Sequence, residues 1–171
     1  MYLSELSKTA ATSSLHEIPN GNAGTLATLK IMRRLVREGK TSLRVRNLAA
    51  SLVNGARQKD YVEEARILQR YVRDNIRYVR DIRNVETLHS ADKIIEYNYG
   101  DCDDKSILIS ALLESIGHPT RLVAMGINGS EFCHVYVETK IGKAWVGVET
   151  TEPVELGWVP KGQTSRLVIN N

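Results

Sequence analysis

The chain reads as an α+β protein with one core, and three features point there. Apolar residues recur at three- and four-residue steps as far as Ile116, the spacing of amphipathic helices. After Pro119 the period changes to two, with turn residues between alternating runs, the pattern of antiparallel strands. Between these regimes lies one run, Cys102 to about Ser115, whose Ile107, Leu108, Ile109, Ala111, Leu112 and Leu113 cover more than one helical face. A helix apolar on several sides belongs at the centre of a fold. Helices followed by strands argue α+β rather than βαβ. A length of 171 residues gives one sizeable core and is short for two.

The elements follow in order. Residues 1–24 are rich in Ser, Thr, Asn and Gly, carry Pro19, and read as a flexible N-terminal arm. A helix is expected from Thr25, with Leu26, Leu29, Met32, Leu35 and Val36 on one side and Gly39 as its stop. Arg33, Arg34 and Arg37 fall on its other side, which reads as a solvated face. Val45, Leu48, Ala49, Leu52 and Val53 mark a second helix, and 25–56 together form a helical extension packed on the core, which spans 57–171. A third helix starts after the cap Asp60 and runs to about Ile76. Arg77 to Asp81 is extended, and Ser90 caps a short helix to about Tyr97. After the central helix, Gly117 and Pro119 mark its end. Strands are expected at 120–125, 132–138 and 144–149, with further strand-like pieces at Trp158-Val159 and Leu167 to Ile169.

Composition narrows the function classes. Charged residues are 25% and well mixed, and a net charge of +3 makes no case for nucleic acid or an anionic membrane. No run is apolar enough to span a bilayer, and no basic-then-apolar leader is visible at the start. Two cysteines, Cys102 and Cys133, do not make a disulfide scaffold, so both are read as free thiols in a cytoplasmic protein.

The chemistry centres on Tyr99-Gly100-Asp101-Cys102-Asp103-Asp104-Lys105-Ser106. It puts a thiol at a helix N-terminus, where unpaired N–H groups and the helix dipole favour a thiolate and can hold an oxyanion. The three aspartates oppose the thiolate, so a histidine partner is required. Of the four histidines, His16 lies in the arm, His89 in a loop, and His118 after a helix stop, facing solvent. His134 lies on the alternating strand, on the face of Phe132, Tyr136 and Glu138. Cys133, Val135 and Val137 then point the other way, and Cys133 is read as core. If Ile141-Gly142 is a two-residue turn, position 134 lies directly opposite Glu149. Directly opposed side chains have Cβ atoms roughly 4.5–5.5 Å apart, and the carboxylate would orient the imidazole.

Phe132-x-His134-Val-Tyr-Val-Glu138, then Trp145-Val-x-Val-Glu149-Thr-Thr, stand with Ile76-Arg77-Tyr78, Asp81, Glu86-Thr87-Leu88 and Gly100-Asp101-Cys102-Asp103-Asp104. In this order they resemble the transglutaminase-like superfamily, of papain-like fold, over roughly residues 60–155. The resemblance implies a central cysteine-bearing helix packed on a small antiparallel sheet and a Cys-His-acid triad, carried here by Cys102, His134 and Glu149. The family's usual acid before Thr-Thr is Asp. Thr25 to Asn54 is similar to what precedes this core in prophage-encoded members.

The implied reaction is acyl transfer on an amide or peptide bond through a thioester, with a protein or peptide substrate and no cofactor. Peptidase or amidase action is favoured over cross-linking. The Cys102 N–H supplies one oxyanion donor, and Asn98, Tyr99 and Gln69 are candidates for a second. The rival reading is a non-catalytic binding or assembly module of a phage or prophage. Metal binding is disfavoured, because no Cys-x-x-Cys pair exists and the aspartates lack a calcium-loop spacing.

Overall fold

The computed structural model describes residue 14 and residues 18–81, 87–129 and 131–171. His16 and most of the expected arm lie outside the described residues. The elements are α1 (Gly21–Gly39), α2 (Leu43–Val53), α3 (Tyr61–Asn75), β1 (Arg77–Tyr78), α4 (Ala91–Tyr97), β2 (Tyr99–Gly100), α5 (Cys102–Ser115), β3 (Thr120–Ile127), β4 (His134–Ile141), β5 (Ala144–Val148) and β6 (Gln163–Asn170). The last four strands form an antiparallel sheet in the order β5-β4-β3-β6, and β1 and β2 pair as a short parallel ribbon. The α+β expectation therefore holds, with the helices and sheet in the expected arrangement.

Helix α5 is the hub. Every residue from Asp103 to Leu113 is buried. Its apolar side chains share one cluster with Leu29, Met32 and Val36 of α1, Val45 and Ala49 of α2, Leu68 and Val72 of α3, and Val135 and Val137 of β4. Burying such side chains contributes roughly 1.5–3 kcal/mol each. A second, smaller cluster of Val123, Met125 and Tyr136 lies on the alternate residues of β3 and β4.

Four details differ from the sequence expectation. Helix α1 begins at Gly21, four residues early, because polar and glycine residues without apolar spacing still join a helix once it is nucleated. Trp158-Val159 is not a strand but a crossing loop. Gly157 donates to the Gly147 carbonyl at 2.8 Å, and a Cβ on Gly147 would stand 2.5 Å from the Trp158 carbonyl oxygen. His118 is buried at 5% exposure rather than solvated. The turn after α5 tucks it under α3, where Nε2 meets Glu64 Oε2 at 2.7 Å and the ring stands edge-on to Tyr61.

The fourth difference is the hairpin. The turn is centred on Gly142-Lys143, with Ile141 paired to Ala144 and Val137 to Val148. Gly142 takes a φ of +61°, which glycine adopts freely and a β-branched Ile141 does not. Continued one step, this register sets Glu149 beside Tyr136, two residues from the expected place opposite His134. A shift of two keeps Glu149 on the same face.

Gly100 is a point of close packing. A Cβ there would stand 2.5 Å from the Asp104 Cβ and 2.8 Å from its Oδ2. Asp104 cannot swing aside without releasing His89, whose N–H and Nδ1 both lie 2.9 Å from its carboxylate. Gly100→Ala is therefore expected to destabilise the fold by about 1–3 kcal/mol, read as a lower urea midpoint. An unchanged midpoint would show that Asp104 yields freely.

Candidate active site

Cys102 is the first residue of α5. The Asp101 side chain caps the helix by accepting the N–H groups of Asp103 and Asp104 at 3.0 and 3.2 Å. That leaves the Cys102 N–H outside the cap. Ser106, one turn on, donates to the Val135 carbonyl at 3.3 Å and fastens the start of α5 to the start of β4. His134 is the first residue of that strand. The thiol is thus placed beside the β4 backbone, where the Val135 N–H acts on it.

Burial pushes the Cys102 thiol far up, the charges of Asp103 and Asp101 push it further, and the Val135 N–H only partly opposes them. These surroundings therefore favour the neutral thiol. Its hydrogen-bond acceptor is Asp103 Oδ1 at 3.6 Å, not His134. Catalytic hydrogen bonds are often long in unliganded sites and tighten when substrate binds.

His134 and Glu149 are brought together. Nε2 lies 2.7 Å from Glu149 Oε2, across a diagonal of the hairpin rather than a direct pair. Diagonal neighbours are farther apart than opposed ones, and glutamate's extra methylene supplies reach. The other Glu149 oxygen accepts the N–H and hydroxyl of Thr151, both at 2.6 Å. Glu149 is only 1% exposed. Burial raises its carboxyl, but His134 and Thr151 outweigh burial and hold it below the usual carboxylate range. With Nε2 facing a carboxylate, the proton belongs on Nε2, and Nδ1 is the basic nitrogen.

A cleft of about 570 Å³ opens at this pair, lined by Tyr78, Arg80, Cys133, His134, Glu149 and Trp158 among others. Cys133 is exposed here, not core as its strand position suggested. Regular β4 begins only at His134, so the alternation does not extend back to 133.

Neither Cys102 nor the three candidates for the second oxyanion donor are among the residues that line this cleft. Gln69 is fully buried, and its Nε2 is committed to the carbonyls of Glu149 at 2.8 Å and Val154 at 3.4 Å. It is a clamp on the backbone at Glu149 and Val154, with both amide hydrogens engaged. Asn98 is the exposed left-handed cap of α4, and Tyr99 stacks on Tyr97 with centroids 5.5 Å apart. The residue that sequence reasoning passed over is Tyr78, at 43% exposure on the cleft wall. Burial raises its phenol, Arg80 lowers it, and the charged form of Cys102 raises it, so it remains a neutral O–H donor. Its place in the Ile-Arg-Tyr run was the available signal.

The described residues hold no helix long and apolar enough to cross a membrane. They also hold no group of three or more His, Cys, Asp or Glu residues arranged to bind a metal.

Comparison with known proteins matches residues 46–150 to the family model of the transglutaminase-like superfamily. No curated protein matches the chain. Among solved structures, a candidate protease from Parabacteroides distasonis is 14% identical with a TM-score of 0.59, over 81% of this chain and 31% of that one. A candidate cysteine protease from Cytophaga hutchinsonii is 22% identical with a TM-score of 0.53, over 75% of this chain and 46% of that one. A Rad4/XPC nucleotide excision repair complex gives 13% identity and a TM-score of 0.53, over 85% of this chain and 46% of that one. At these identities the likeness is one of fold, and the chain spans less than half of each of these structures. With more than half of its length matched by the family model and the fold shared, the chain belongs to the transglutaminase-like superfamily.

Proposed function

We propose that the protein is a cysteine-dependent acyl-transfer enzyme that cleaves amide or peptide bonds in a protein or peptide substrate. Cys102 is the nucleophile, His134 the general base and acid, and Glu149 the group that orients His134. The observation that carries this reading is the 2.7 Å His134–Glu149 bond, made by a buried carboxylate at the edge of an open cleft.

The chemistry follows from the protonation states. Cys102 rests as a thiol, so its proton must leave as the bond forms rather than before. The S–H proton passes to His134 Nδ1 while Sγ bonds to the substrate carbonyl carbon, and the carbonyl electron pair moves onto oxygen. The Cys102 N–H and the Tyr78 hydroxyl receive that oxyanion. The intermediate collapses, the carbon–nitrogen bond breaks, and His134 gives its proton to the leaving amine. Water then adds to the thioester, losing a proton to Nδ1. The carbon–sulfur bond breaks, and the sulfur recovers the proton as the acid departs. A primary amine in place of water would make the same site a transglutaminase.

The resting bond from Cys102 to Asp103 favours a second reading, a binding or assembly module that keeps the fold without turnover. Intact-mass analysis after incubation with a peptidyl acyloxymethyl ketone separates the two. In this probe a thiolate displaces a carboxylate leaving group. Labelling of wild type and Cys133→Ala, lost in Cys102→Ala and slowed at least tenfold in His134→Ala, is the expected result. Labelling that follows Cys133, or is indifferent to His134, would sink the enzyme reading.

Two further outcomes are expected with a mixed peptide-amide substrate pool. Tyr78→Phe lowers kcat by about 10²-fold with little change in KM, as loss of one oxyanion donor does; a change confined to KM would remove Tyr78 from that role. Glu149→Gln keeps the shape but not the charge, and costs roughly 10²–10⁴-fold in kcat.

The Glu149 carboxyl is held low in the fold, so its contribution to stability is complete above the usual carboxylate pKa, near 4.3. It is lost as pH falls through the lower folded value. Thermal melts from pH 7 to 3 should show Glu149→Gln and wild type converging on the acid side.

A further inference from the structure

One buried charge in the cysteine motif has no part in the steps above. Lys105, in the first turn of α5, is 2% exposed. Its ammonium donates to the Ile76 carbonyl at 2.9 Å and the Arg73 carbonyl at 3.3 Å. A buried ammonium is costly unless it is hydrogen-bonded and faces negative charge. Both acceptors lie at the C-terminal end of α3, the negative end of that helix dipole.

The same end of α3 grips the acid's segment. Gln69 donates to the Glu149 carbonyl at 2.8 Å, and Arg73 Nη1 donates to the Val154 carbonyl at 3.1 Å. Ile76, whose carbonyl Lys105 holds, directly precedes β1, which brings Tyr78 to the cleft. The charged groups acting on the ammonium are Glu149, which favours its charge most, then Asp74 in the same sense and Arg73 against it.

We propose that Lys105 is a positioning residue for the reaction: locked on the carbonyls at the end of α3, it holds Gln69 and Arg73 against the segment that follows β5 and so fixes Glu149. The proposal rests on the assignment of Glu149 as the acid of the site. Burial pushes the Lys105 ammonium down to about 8, so its charge is lost as pH rises through that value. The unfolded chain keeps the proton to about 10.4, so folding becomes more favourable over this window while the positioning charge disappears. A residue with a purely structural role would not divide stability from reactivity in this way.

The test has a wild-type arm and a variant arm. In protein carrying ¹³C-labelled glutamate, the Glu149 carboxyl resonance should show a second inflection near pH 8 that tracks the Lys105 side-chain signal. Its absence would overturn the coupling of Lys105 to Glu149 through α3 without any variant having to fold. In the variant arm, Lys105→Met should slow labelling of Cys102 by the peptidyl acyloxymethyl ketone roughly 10- to 100-fold at pH 7, the scale of a small misplacement of reacting groups. In a Glu149→Gln background the same change should add little, because both act through one group. Full additivity, or a lowered melting temperature with an unchanged labelling rate, would reduce Lys105 to a structural role. If instead labelling is unchanged in His134→Ala, the enzyme reading fails, and the carboxyl resonance still decides the coupling.

Discussion

The helix that carries the cysteine begins with a row of polar side chains, and the fold buries them. Asp101, Asp103, Asp104, Lys105 and Ser106 are each at most 8% exposed. A polar group out of water must find a partner or cost several kcal/mol. Asp101 caps its own helix, Asp104 takes the backbone and ring of His89, Lys105 takes the end of α3, and Ser106 takes Val135 on β4. The bonds of Asp104, Lys105 and Ser106 tie α5 to three different neighbours: the loop before α4, the end of α3 and the start of β4. The placement of Cys102 against β4, and of the start of α5 against the end of α3, follows from satisfying these groups.

The same economy appears in the histidines. Each of the three described histidines faces a carboxylate: His89 with Asp104, His118 with Glu64 and His134 with Glu149. An ion pair alone therefore does not mark a site. What distinguishes His134 is its setting at the mouth of a cleft, with Thr151 and Gln69 fixing both the carboxylate and the backbone of its partner. His118 and Glu64, by contrast, join the turn after α5 to α3 and line no part of that cleft.

The electrostatics of Cys102 set the character of the site. A helix N-terminus alone would favour a thiolate. Burial and two neighbouring aspartates reverse that preference, with only the Val135 N–H in opposition. A thiol held this way is protected from casual alkylation, and under the proposed reaction it would need a base aligned at the moment of attack. Several buried bonds converge on Glu149 and on the end of α3, from His134, Thr151, Gln69 and Lys105, and hold that side of the cleft in one geometry.

Much of the fold was legible because periodicity reports burial directly. The all-round apolar run of α5 and the alternation of β4 are local patterns with one physical meaning each. The pairing of His134 with Glu149 was legible too, as a matter of face, because a register error of two leaves parity intact. What local pattern could not decide was which residue the turn places at positive φ, and so whether the pair is opposed or diagonal. Nor could it show that Gln69 spends its amide on the Glu149 carbonyl, that Cys133 lies just before the strand's regular pleat and so faces the cleft, or that Lys105 is buried against α3. Those outcomes depend on contacts between residues tens of positions apart, for which the spacing within any one segment carries no information. Local pattern reported the residue types and, along α5 and β4, the buried faces; contacts between distant segments put Cys133 on the cleft, buried His118 under α3 and engaged the Gln69 amide on the Glu149 carbonyl.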